Sequence, residues 1–376
     1  MRKINVILKT NSKLKFLKHK INILEQLFYN SDEILEEISP KRRVIAALKG
    51  EKIDRPPVTS IGGCEGTLIV DVQKAKGIYL PEAHKDSEKM AKLAIASQKL
   101  TGLESVRVPF DFVVEPEALG CKIKWPDKID QELTILNHVY KTPDDLVWPE
   151  NLLKKGRIPI VLDAIRTIKK EAGEFLPIVS FMAGPFTLGG GLAGTTNFLV
   201  WTLKNPYYVE KFVEFSTDIV LEYAKAQYSA GSDIVAICEP NASCDMIDPR
   251  MFKTNVKPAL TRITDELGGL KVLHICGKVG PIIQDMVDCG FDGISVEEPL
   301  DIRRIKPLIG DVKILGGVQS KNLALNTPSS VREEVKKALE AGFDLIEAGE
   351  GILLPTPLDN IKAMVETVKE WKTSYQ

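Results

Sequence analysis

From Pro40 onward, short apolar runs rich in β-branched residues alternate with longer stretches of helical period. The runs cover residues 57–61, 106–110, 178–182, 234–238, 272–276, 294–298, 313–318 and 345–348, eight in all. Between them the pattern changes period. Val209, Phe212, Val213, Ile219, Val220 and Tyr223 fall on one helical face, as do Ile282, Ile283, Met286 and Val287 after Pro281. Val331, Val335, Ala338 and Leu339 follow Thr327-Pro328, which predicts an N-cap with proline at the first helical position. Three helices end in one way, at Ala230-Gly231-Ser232-Asp233, Cys289-Gly290-Phe291-Asp292 and Ala341-Gly342-Phe343-Asp344. In each, glycine supplies a left-handed cap and a strand begins at once.

Eight strands alternating with helices predict an α/β fold of the (β/α)8 TIM-barrel type, with a doubly wound open sheet as the alternative. The stretch 115–140 breaks the rhythm. Two alternating runs around Pro126-Asp127-Lys128 predict a small hairpin insertion at the rim. No linker splits the chain, so residues 39–376 read as one catalytic domain behind an N-terminal extension, 1–38. That extension is basic at its start: the first 20 residues hold seven Lys or Arg and no acid.

Charge narrows the function classes. Fifty basic against 51 acidic residues give a net charge of -1, without the basic excess of a nucleic-acid binder. No apolar run reaches the ~18 residues of a membrane span. Six cysteines in 376 residues are too few for a disulfide framework, which points to a reducing, cytoplasmic setting with thiols free to act as ligands or core residues. No Gly-x-Ser-x-Gly elbow is present, which removes support for a serine hydrolase.

In such a barrel the chemistry sits where strands end at their carboxyl side. The run ending Val272-Leu273-His274-Ile275-Cys276-Gly277 places His274 and Cys276 on one face by strand alternation, where both can reach one zinc ion. A buried thiol and a hydrogen-bonded imidazole would be the plain structural alternative. In Ser295-Val296-Glu297-Glu298, the same parity turns Ser295 and Glu297 inward, with Glu298 as the other candidate carboxylate. A carboxylate beside His274 and Cys276 is costly without a cation or a donor. Glu350, bracketed by Gly349 and Gly351, ends the last strand and is a further candidate ligand. Gly189 and Gly190, in a glycine run after the third apolar run, predict a loop on which a bulky planar cofactor could lie. Asn241, Ser243 and Asp245 add polar groups to the same rim. His84 reads as structural.

Several segments together resemble the methylcobamide:coenzyme M methyltransferases, a branch of the uroporphyrinogen decarboxylase superfamily. They are Pro81-Glu82-Ala83-His84, Val106-Arg107-Val108-Pro109-Phe110, Gly184-Pro185-Phe186-Thr187, residues 240–249, His274-Ile275-Cys276-Gly277, residues 293–298 and Pro355-Thr356-Pro357-Leu358. The resemblance spans about Ser39 to Trp371. It implies a (β/α)8 barrel and a zinc ion bound through a His-x-Cys pair and a later cysteine. It also implies a corrinoid protein as methyl donor and a small thiol, usually coenzyme M, as acceptor. His274 and Cys276 match the pair, and they with Glu297 become the expected catalytic residues. Where the family carries Gly-Cys-Gly, this chain has Gly349-Glu350-Gly351. The expected metal set is therefore His274, Cys276, Glu297 and Glu350. Gly189, Gly190, Asn241, Ser243 and Asp245 are expected to face the methylcobamide. Two other readings follow from the same resemblance: uroporphyrinogen decarboxylase itself, disfavoured because no arginine lies between Arg55 and Arg107, and a corrinoid-binding relative without turnover.

Overall fold

The computed structural model describes residues 38–64, 66, 68–297 and 300–371. The expected basic extension up to residue 37, and Glu298, lie outside them. The described chain builds one sheet of seven parallel strands: β1 (Val106–Val108), β4 (Ile178–Ala183), β5 (Ile234–Cys238), β6 (Leu270–Ile275), β7 (Gly293–Val296), β8 (Lys313–Val318) and β9 (Leu345–Ala348), neighbouring in that order. The expected hairpin is present as β2 (Lys122–Lys124) paired antiparallel with β3 (Thr134–Asn137). Among the described residues no helix is long and apolar enough to cross a membrane.

The first expected strand contracts to a single bridge. Val58 pairs with Ile346 of β9, where Thr59 N–H donates to the Ile346 carbonyl and Ile346 N–H to that of Pro57, both at 2.9 Å. On its other side Glu104 N–H donates to the Val58 carbonyl at 2.8 Å. Composition explains the contraction. Pro56 and Pro57 have no N–H to offer a ladder, and Gly62-Gly63 ends the run. Side-chain charge replaces the missing ladder bonds. Buried Glu104 accepts from Val58 N–H at 3.0 Å and is clamped between Arg43 and Arg55.

Strand alternation sorts the sheet into two apolar faces. Val179, Phe181, Ile234, Ala236, Cys238, Val272, Leu315 and Leu345 form one cluster, which Val44, Ala47 and Leu48 of the helix Pro40–Lys49 join. Ile178, Met182, Val235, Ile237, Leu273, Ile275, Ile294, Val296 and Ile346 face the other way, into the cluster shared with the surrounding helices. Each such side chain contributes about 1.5–3 kcal/mol on burial. The three expected glycine caps are left-handed, at φ +119 for Gly231, +85 for Gly290 and +92 for Gly342. Thr327 caps the helix Pro328–Ala341 through Ser330 N–H.

Candidate metal centre

His274 lies inside the sheet near the end of β6 and is fully buried. Its Nδ1 is 3.0 Å from Ser295 Oγ on the neighbouring β7, and Ser295 Oγ donates its single proton to Glu347 Oε1 at 2.5 Å. A hydroxyl that has given its proton to a carboxylate can only accept from the ring, so Nδ1 carries the imidazole hydrogen. The Nε2 lone pair is then bare, and Nε2 has no hydrogen-bond partner among the described residues. Burial, reinforced by the Arg107 charge, pushes the His274 pKa down to about 3, so the ring is neutral at physiological pH. Glu347 is itself pinned, accepting from Ile61 N–H at 2.9 Å and Gly62 N–H at 3.3 Å. Arg107 reaches Gly62 O at 2.6 Å and stacks over the Phe181 ring at 3.7 Å.

Cys276 stands one residue past β6, half-buried, and belongs to two groupings of possible ligand atoms. Those of Cys64, His274 and Cys276 lie within 4.8 Å of one another, and so do those of Cys276, Glu297 and Glu350. The structure thus places the four expected ligands in two groupings joined at Cys276, one holding the imidazole and the other the two carboxylates. The Cys276 thiol is held far above its ordinary pKa, first by hydrogen bonding with Cys64, then by burial and the nearby carboxylates. A divalent cation inverts that electrostatic logic and favours the thiolate. A buried imidazole with a bare nitrogen, grouped with two thiols, and carboxylates grouped with one of those thiols are a donor set that suits zinc.

Glycines set this arrangement. Gly63 at φ +86 lies so close to the last loop that a Cβ would come within 2.3 Å of Gly351 N. On Gly349 a Cβ would meet Glu297 Cα at 2.6 Å. The glycines around Glu350 therefore let three loops touch backbone to backbone. Glu297 Oε2 accepts from Gly277 N–H at 2.8 Å, and Glu350 N–H donates to Ser320 Oγ at 3.0 Å.

The rim residues separate into two kinds. Asp245 Oδ2 accepts from Lys278 N–H at 2.8 Å and would be 2.5 Å from a Cβ on Gly277, so it holds the loop that follows Cys276. Ser243 is buried beneath that turn, and Asn241 is half-buried with its backbone N–H toward Thr187 Oγ1. Gly189 and Gly190 are not in an open loop. They belong to the buried helix Pro185–Ala193, where a Cβ on Gly189 would meet the Phe198 ring at 2.9 Å and one on Gly190 would meet Asn241 Nδ2 at 2.9 Å. Burial against Phe198 and Phe212 outweighs the poor helix propensity of glycine there. The N-terminus of that helix donates Phe186 and Thr187 N–H to Glu239 at 2.8 and 2.7 Å, and burial pushes the Glu239 carboxyl up to about 7.

Sequence reasoning missed Cys64, Glu347 and the buried Asp111–Arg157 pair that His84 joins. In that group Arg157 forms a two-pronged pair with Asp111 at 2.8 and 2.9 Å, and His84 Nδ1 is 3.1 Å from Asp111.

A family model described as uroporphyrinogen decarboxylase (URO-D) matches residues 39–371. The chain belongs to that family. Within it the chain falls in the methylcobamide:CoM methyltransferase branch. It is 39% identical to the methylcobamide:CoM methyltransferase MtaA of Methanosarcina barkeri, across 90% of this chain and 99% of the relative. It is 33% identical to a methylated-thiol–coenzyme M methyltransferase of Methanosarcina mazei, across 90% and 91%. The solved structure of a methyltransferase from Methanosarcina mazei superposes with a TM-score of 0.84 at 38% identity, covering 89% of this chain and 99% of that one.

Proposed function

We propose that the protein is a methyltransferase that moves a methyl group from a methylated corrinoid, carried by a separate corrinoid protein, to a small thiol such as coenzyme M. A zinc ion held at His274 and Cys276 would be the metal. The observation that carries this reading is the buried, unpartnered Nε2 of His274, fixed as a lone-pair donor by Ser295 and Glu347, on a ring grouped with the thiols of Cys64 and Cys276. When bound, zinc lowers the pKa of a coordinated thiol so that it is thiolate at neutral pH. The acceptor sulfur then attacks the methyl carbon: the S–C bond forms as the Co–C bond breaks, and its electron pair stays on cobalt.

The chain's own part is positional. Ser295 and Glu347 hold the imidazole tautomer, and Cys276 supplies sulfur. A third protein donor comes from the groups within reach of Cys276, which are Cys64, Glu297 and Glu350. Glu297 and Asp245 brace the loop 277–278 through its N–H groups, which keeps Cys276 in register with His274. Asn241, Ser243 and Asp245 lie on the rim that receives the corrinoid. We further propose that the sheet closes as an eight-stave barrel whose first stave is the bridge at Val58, and that residues 1–38 form a separate extension. Six free cysteines fit a protein of the reducing cytoplasm.

The test is zinc content per chain together with methylcobalamin demethylation across a panel of thiols. Stoichiometric zinc and thiol-dependent demethylation bear the reading out, whereas zinc-free protein inert toward every thiol overturns it. Cys276→Ala is expected to lower metal affinity sharply, and unchanged retention removes that residue from the centre.

A further inference from the structure

Three thiols stand in a row beside His274. Cys238 Sγ is 3.1 Å from Cys64 Sγ, and Cys64 Sγ is 3.9 Å from Cys276 Sγ. Cys64 is buried at 7% exposure, and the backbone leading to it is tied down on three sides. Ile61 and Gly62 N–H groups donate to Glu347, Gly62 O accepts from Arg107, and Gly63 lies against Gly351. The sulfur so placed shares a grouping of possible ligand atoms with His274 and Cys276, whereas Glu350 and Glu297 are grouped with Cys276 alone.

We propose that Cys64 is the third protein ligand of the metal ion, completing a His274, Cys276 and Cys64 set with Glu350 outside it. This rests on the reading of the site as a zinc centre. The spacing is that of a tetrahedral pair. Two sulfurs bonded at ~2.3 Å to one tetrahedral ion stand about 3.8 Å apart, and Cys64 and Cys276 are separated by 3.9 Å. One nitrogen, two thiolates and an open fourth position form the pattern of a catalytic zinc site. The ligand types have a chemical consequence. A second thiolate donates more electron density to the ion than a carboxylate does, so an acceptor sulfur bound at the fourth position keeps more of its nucleophilicity. Cys238, next in the row, is hydrogen-bonded to Cys64 and outside the ligand set.

The test counts sulfurs at the metal in the full-length protein. X-ray absorption at zinc in the unaltered chain is expected to show two sulfur ligands. With Co2+ in place of Zn2+, the near-ultraviolet thiolate-to-metal charge-transfer band of Cys64→Ser is expected to fall to about half, while Glu350→Gln and Cys238→Ser keep it in full. One sulfur in the unaltered chain, an undiminished band in Cys64→Ser, or a halved band in Cys238→Ser overturns this assignment while leaving a metal centre in place. An unaltered chain that binds neither Zn2+ nor Co2+ overturns the metal reading and this assignment together. The sulfur count of the unaltered chain decides the matter even if Cys64→Ser does not fold.

Discussion

Ser295 Oγ sits 3.0 Å from His274 Nδ1 and spends its own proton on Glu347, so one hydroxyl fixes which imidazole nitrogen is left bare. Ser295→Ala frees the ring to change tautomer and rotate. Zinc affinity should fall about 10–100-fold, the usual loss when a partner behind a metal-bound histidine is removed. The check is a chelator competition titration, with far-ultraviolet circular dichroism unchanged. Equal affinity in the variant would show that Ser295 does not orient the ring.

Gly63→Ala should be far more damaging than its one added methyl suggests. The residue has a left-handed backbone, which costs about 1–2 kcal/mol for any residue with a Cβ, and that Cβ would run into Gly351 N. The loops carrying Cys64 and Glu350 must then separate. A large drop in the denaturant midpoint, together with loss of bound metal, is the expected result.

The Asp111–Arg157 pair is buried, the two residues being 7% and 3% exposed, and the guanidinium holds the Asp111 carboxyl far below its usual range despite burial. Arg157→Met leaves that carboxylate without its counter-ion and should cost about 3–5 kcal/mol of stability in urea unfolding. Arg166→Ala breaks an exposed pair with Asp163 and should cost under about 1 kcal/mol.

Glu115 offers a pH readout. It is buried, accepts from Ala183 N–H at 3.2 Å, and burial raises its pKa from 4.5 to about 8. A carboxyl with a raised folded-state pKa binds its proton more tightly when folded. Its contribution is therefore complete below pH 4.5 and is lost as pH climbs through about 8. Glu115→Gln mimics the neutral acid, so its stability should be flatter than the parent's across that window. Parallel curves from pH 4 to 9 would place the charge elsewhere.

How far the sequence could be read depends on the kind of order involved. Strand alternation is local, so the pairing of His274 with Cys276 was legible from spacing, and their possible ligand atoms lie within 4.8 Å of each other. The caps at Gly231, Gly290 and Gly342 were equally local. Cys64 was invisible because its neighbours Cys238 and Cys276 are 174 and 212 residues away, and the run before it lacks a ladder that would give it parity. One signal was available: Gly62-Gly63 directly before Cys64 is a glycine-rich approach like the one that drew attention to Glu350. The helix Pro185–Ala193 was read as a loop because its glycines are poor helix formers, and the aromatic packing that overrides this comes from Phe198 and Phe212.

The bridge at Val58 is held to its neighbours by few main-chain bonds, yet the segment it leads delivers Cys64 beside His274 of β6. A cation gripped from both directions would rivet the sheet at its thinnest seam. Occupancy by metal would then govern the cohesion of the whole sheet as well as its chemistry, and stripping the ion should let the chain come apart from that edge first.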